Sequence, residues 1–271
     1  LRANGVRLAD FQGRARAVWR SGSLPAVIRP TMRRCQPKTP VNPLTGAGKT
    51  ASLPVEISPV FLIILAAALA GAILTYFKVG PAGFGVFIFV TGGWVVSLCL
   101  HEFAHASTAY LGGDESVVYQ GYLTLNPLRY TRLFFSIILP LVILMSGGIG
   151  LPGGAVYINM GAIRSPRMRS LVSAAGPLTN LAIAVLLSVP FLLTSNQSVI
   201  RLHSEFYAGL ALLIFLQITA LLLNLLPLPG LDGFGILAPW LPLSALRVAA
   251  VFGQFSFFIL LFLFFYDNPV R

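Results

Sequence analysis

Val86–Leu111 reads VFIFVTGGWVVSLCLHEFAHASTAYL. It is apolar along nearly its whole length, and it is long enough to cross a bilayer, since about 20 helical residues at about 1.5 Å each match a hydrocarbon core about 30 Å thick. Inside it stands H-E-F-A-H, residues 101–105. On a helix, His101 and His105 lie four positions apart, a little over one turn, so both imidazoles project from one face and can reach one tetrahedral ion. Glu102, beside the first histidine, is placed to take the proton of an attacking water. In a soluble helix the same pattern is often a solvated face. Within lipid each ionisable group costs a few kcal/mol, so three of them in five residues call for a partner or a function. Counted from Val86, His101 lies about 23 Å along the helix, within the hydrocarbon but toward its far side.

The rest of the chain agrees with a bilayer setting. Of its 271 residues, 56% are hydrophobic and 10% charged, far from the roughly 25% charged residues of a soluble domain. The net charge of +11 is concentrated at the start, where residues 1–56 hold ten Lys or Arg against two acids. Such an Arg-rich, acid-poor stretch reads as a disordered arm, either a positive-inside tail or an organelle transit peptide, and not as a nucleic-acid-binding surface. Thr45-Gly46-Ala47-Gly48-Lys49-Thr50 resembles the end of a phosphate-binding loop, but Pro43 stands where its first Gly belongs and no strand precedes it. Cys35 and Cys99 form no metal or disulfide pattern.

Outward from the H-E-F-A-H segment, the sequence predicts an all-α polytopic membrane protein of about five to six transmembrane helices. A re-entrant segment and a small membrane-associated β element accompany them. Residues 57–271 form the integral-membrane domain, with its catalytic core at about 86–240. Spans are expected at Pro59–Phe77, Val86–Leu111, Leu171–Leu193, Tyr207–Leu226 and Val248–Tyr266. Small residues from Ala66 to Ala72 suit close helix packing, and Gly112-Gly113 stop the second helix. Val117–Tyr119 and Tyr122–Leu125 around Gly121 suggest a surface hairpin. Leu133–Met145 is short and broken by Pro140, and Ala155–Ile158 looks extended.

Two imidazoles need a third protein ligand to make a catalytic zinc site with one position left for water. Asp10 and Glu56 flank the arm, Asp114 and Glu115 follow the helix end closely, and His203, Glu205 and Asp267 sit at the ends of other spans. Asp232 stands apart. It follows an apolar helix in N-L-L-P-L-P-G-L-D-G, residues 224–233, where prolines permit the irregular backbone that can line a cavity. The alternative is an ordinary Asp-Gly turn at the surface.

These residues resemble the site-2 protease family of intramembrane zinc metalloproteases. The likeness covers roughly residues 90–240 and rests on H-E-F-A-H-A at 101–106, A-G-P-L-T-N at 175–180, opening a later helix, and the stretch at 224–233. T-L-N-P-L at 124–128 and P-G-G-A-V-Y-I-N at 152–159 are similar to segments of the compact bacterial and plastid-type members. The resemblance implies one Zn2+ ion held by His101, His105 and Asp232, with Glu102 as catalytic base. It implies for Asn224 a part in binding substrate or stabilising the oxyanion, a task suited to an amide donor; a helix-packing hydrogen bond is the alternative. Asn180 is expected to pack helices, and Gly176-Pro177 to shape a helix start. The implied substrate is a transmembrane protein, the surroundings lipid, and the location a bacterial inner membrane or a plastid membrane.

Chain parity constrains the topology. His101, His105 and Asp232 can share an ion only if their segments end at the same face, so Leu133–Gly150 must be re-entrant and not a full crossing. Arg129 and Arg132 before it, and Arg164, Arg167 and Arg169 after it, then share a positive side, and the site opens to the cytosol or stroma. An unwound substrate could pair along Gly153–Asn159 by β-augmentation. The competing class is a metal transporter, which would need ligands on several helices; here they concentrate in one H-E-x-x-H.

Overall fold

The computed structural model describes residues 53–81, 83–130, 157–194 and 196–253. Helix α1 (Pro59–Tyr76) starts where the Ser58 hydroxyl accepts from the Val60 N–H at 3.2 Å, with Pro59 at the first position, where a missing N–H costs nothing. Helix α2 (Phe84–Gly112) carries the H-E-F-A-H segment and ends at Gly113, whose φ of 111° is open to glycine. Two short helices follow, α3 (Ser116–Tyr119) and α4 (Pro127–Tyr130). Helix α5 (Pro166–Leu193) and the short α6 (Gln197–Leu202) lead into α7 (Ser204–Asn224). The described chain closes with α8 (Asp232–Leu237), a 3-10 turn (Ala238–Trp240) and α9 (Leu243–Gly253).

Helices α1, α2, α5 and α7 are long and apolar enough to cross a membrane. Their surface pattern is the inverse of a soluble protein's: Ile63, Leu69, Val185, Leu186, Phe215 and Leu222 face outward, while Ser97, His101, Glu102, His105, Asn180 and Gln217 are buried. Hydrogen bonds at the two ends fix the direction of each helix. At one end the Arg164 N–H donates to the Gly112 carbonyl at 3.2 Å, so α5 starts where α2 stops. The Glu56 N–H reaches the Leu123 carbonyl, bringing the approach to α1 to that same end. At the other end His203, before α7, donates through Nδ1 to the Tyr76 carbonyl at 2.7 Å and stacks on the Tyr76 ring. The four helices therefore alternate in direction. The start of α5 lies at the end of the bundle where α2 stops.

Close helix approach comes from small residues. A Cβ on Gly71 of α1 would lie 2.6 Å from the Phe89 nitrogen of α2, and one on Gly92 would lie 2.9 Å from the Ala68 Cβ. Further along, Phe89 and Val90 of α2 pack against Leu210, Leu213 and Leu216 of α7.

Several expectations need correction or fall outside the described residues. Where a hairpin was expected, Ser116–Tyr119 forms a helical turn, because Asp114 Oδ1 accepts from both the Ser116 N–H and its hydroxyl and initiates it; no strand occurs among the described residues. The re-entrant segment at 133–150, the extended piece at 155–156 and most of the arm lie outside them. So does the expected last span beyond Gly253, leaving four membrane-length helices among the described residues against the five to six expected. Helix α5 begins five residues before the expected Leu171, so A-G-P-L-T-N lies in its interior and does not open it. Ser165 caps it by accepting from the Met168 N–H, and Pro166 follows at the first position. Arg167 and Arg169 in the first turn had hidden that start from an apolar count.

Candidate metal centre

His101 and His105 sit on the buried face of α2, near the end where α5 begins. Each ring is fixed from behind by α5. His105 Nδ1 lies 2.7 Å from the Val172 carbonyl, which only accepts, so Nδ1 carries the proton. His101 Nδ1 lies 2.8 Å from Asn180 Oδ1, an acceptor that imposes the same tautomer. Both Nε2 lone pairs are thereby turned the same way, with the two atoms 3.1 Å apart.

Asp232 arrives on the third side. After α7 the chain turns through Leu228-Pro229-Gly230-Leu231, closed by the Leu231 N–H on the Leu228 carbonyl at 3.0 Å. Pro at the second place and Gly at the third, with φ 99°, are what a type II turn requires. The turn delivers Asp232 to the first position of α8, where its Oδ2 lies 3.4 Å from His101 Nε2 and its Oδ1 3.3 Å from His105 Nε2.

The donor set fits a metal ion on two counts. Zinc bonds of about 2.0–2.1 Å to N and O place tetrahedral ligands about 3.3 Å apart; the two Nε2 atoms are 3.1 Å apart, each has a different oxygen of the Asp232 carboxylate at 3.3–3.4 Å, and one ligand atom from each residue lies within 4.8 Å of the other two. Two neutral imidazole lone pairs and a carboxylate are also all acceptors, which converge stably only around a cation. His101, His105 and Asp232 are thus a group that could hold a metal ion.

Gly176 closes the back of this cradle. A Cβ there would land 2.5 Å from His101 Nε2 and closer still to His105 Nε2, on the atoms that face Asp232. On α8, a Cβ at Gly233 would strike the Leu225 carbonyl, so that segment too is held by close backbone approach. Glu102 is buried beside His101 on α2, and Asn224 is buried as the last residue of α7. Asp114, a rejected ligand candidate, is fully engaged elsewhere: its Oδ2 accepts from the Asn159 N–H at 2.7 Å.

Over 213 residues the chain is 47% identical to the protein named "Putative zinc metalloprotease Rip2" in Mycolicibacterium smegmatis, covering 77% of this chain and 80% of that one. Rip2 of Mycobacterium tuberculosis strain H37Rv is 46% identical over 214 residues, covering 78% and 81%. YwhC of Bacillus subtilis, which bears the same designation, is 33% identical over 175 residues, covering 63% and 77%. The chain belongs to the site-2 protease family of zinc metalloproteases. No family model matches it, and no solved structure does.

Within this site-2 protease the motif histidines and Asp232 meet as the sequence suggested, while α5 supplies what sequence reasoning missed. Asn180 was expected only to pack helices; it holds the His101 ring. The signal was available, since an amide inside an apolar span asks for a partner. The Val172 carbonyl has no side-chain signature and could not have been found from sequence.

Proposed function

We propose that the protein is an intramembrane endopeptidase that cleaves transmembrane or membrane-proximal peptide bonds, with His101, His105 and Asp232 holding one Zn2+. The observation that carries this reading is the set of three mutually spaced donor atoms on the buried side of a membrane-length helix. Zinc, when bound, supplies the Lewis acidity that lowers the pKa of water and polarises a scissile carbonyl.

The chain's own residues do the rest. Asn180 and the Val172 carbonyl hold the Nδ1 protons and keep both Nε2 atoms available. Glu102 takes the proton from the attacking water on its carboxylate and delivers it to the departing amide nitrogen. Asn224 offers an amide N–H to the carbonyl oxygen as negative charge develops there. A helical substrate must unwind locally to expose its carbonyl, and Gly153–Asn159 is the segment suited to pair with it. The site opens to the positive side of the membrane, marked by Arg129, Arg164, Arg167 and Arg169.

The test is zinc content and cleavage of a model transmembrane substrate by wild type, Glu102→Gln and Asp232→Asn. The Gln variant should keep its metal and lose cleavage by at least about 100-fold; the Asn variant should weaken both. Cleavage by Glu102→Gln at the wild-type rate, or zinc affinity unchanged in Asp232→Asn, would overturn the assignment.

A further inference from the structure

His101 and His105 belong to α2, yet the helix that bears Asp232 is docked on α5. Ser170, in the second turn of α5, donates its hydroxyl to the Ile236 carbonyl of α8 at 2.7 Å. The same oxygen accepts the indole N–H of Trp240 at 2.9 Å, from the 3-10 turn that follows α8. One helical turn further along α5, Ser173 abuts Gly235, leaving no room for a Cβ there. The residues that orient the histidine rings, Val172 and Asn180, lie on this same helix.

We propose that Ser170 is a positioning residue for Asp232: bridging Ile236 and Trp240, its hydroxyl fixes the carboxylate-bearing helix to the helix that orients both imidazoles. The argument is geometric. Helix α8 has only six residues and follows a proline-broken turn, so it has little stability of its own and takes its position from what it docks on. Ser170 uses its hydroxyl both ways, once as donor and once as acceptor, and joins the Asp232 helix to the turn that follows it. Loss of the hydroxyl frees the carboxylate to drift from the two Nε2 atoms while leaving the histidines as they are.

This inference rests on the reading of Asp232 as a zinc ligand, and the experiment separates the two. Full-length protein in detergent is loaded with zinc, and zinc affinity is measured by competition with a chromophoric chelator. Ser170→Ala should weaken zinc binding about tenfold, the range found when groups supporting a metal ligand are removed. Ser170→Thr, which keeps the hydroxyl, should restore it. Trp240→Phe removes only the N–H and should weaken binding in the same direction, which decides the matter even if the Ala variant folds poorly. In an Asp232→Asn background, Ser170→Ala should add nothing. Wild-type affinity in both Ser170→Ala and Trp240→Phe, with Asp232→Asn weakened, overturns the positioning role and leaves the ligand assignment standing. An equal further loss in the Asn background also overturns it. Wild-type affinity in Asp232→Asn overturns the ligand assignment and this inference with it.

Discussion

Asn180 Oδ1 lies 2.8 Å from His101 Nδ1, linking two residues 79 positions apart across two membrane-length helices. The bond selects the tautomer in which Nε2 is free to bind metal and fixes the ring plane toward Asp232. Asn180→Leu should therefore weaken zinc binding by about 10- to 100-fold, while Asn180→Asp, which still accepts at that position, should retain most of it. Chelator competition on the purified variants checks both. Equal affinities in Leu and wild type would show that packing alone orients the ring.

Gly176→Ala gives an opposite kind of test, because alanine favours a helix by about 1 kcal/mol over glycine. If Gly176 served only as a helix residue, the variant would gain stability. Its added methyl would instead occupy the space in front of both Nε2 atoms. Zinc content should fall to background and cleavage with it, while helicity by circular dichroism stays at the wild-type level.

The sequence made one half of this site plain and concealed the other. H-E-F-A-H announces itself because charge is costly in an apolar run, and Pro229-Gly230 before Asp232 announces a turn that only such residues make. The role of α5 was concealed because it is exercised by a backbone carbonyl, an absent Cβ and a serine hydroxyl, none of which alters hydropathy. The same limit explains the surface turn at Ser116–Tyr119: β-branched Val117 and Val118 suggested a strand, but the buried Asp114 carboxylate captures the Ser116 N–H and starts a helix. Local propensity yielded there to a single hydrogen-bonded side chain.

The amide of Gln217, in the middle of α7, donates to Ser97 Oγ at 2.7 Å, and that hydroxyl in turn donates to the Trp94 carbonyl. The other amide atom, Oε1, is buried with no hydrogen-bond partner among the described residues. A half-satisfied pair of this kind costs free energy inside a bundle. Ser97→Ala alone should destabilise by about 1–3 kcal/mol by stranding the amide donor, whereas Ser97→Ala with Gln217→Met should be near neutral or stabilising. Thermal unfolding of the four proteins of this cycle in one detergent gives the answer; a double variant less stable than Ser97→Ala would show that the amide contributes net stability.

Gly71 separates the scaffold from the chemistry. Its neighbour across the α1–α2 contact is the backbone nitrogen of Phe89, 2.6 Å from where a Cβ would stand, and backbone cannot swing aside as a side-chain tip can. Gly71→Ala must therefore push α1 away from α2, and overpacking of this kind costs about 1–3 kcal/mol. The displaced contact lies more than four helical turns from His105 along α2, whereas both histidine rings are held from α5. The expected outcome is a lowered unfolding temperature with zinc affinity unchanged, measured on the same preparation. A parallel loss of zinc affinity would mean that α1 helps hold α2 in the register that α5 reads, and the metal centre would then depend on α1 as well as on α2, α5 and α8.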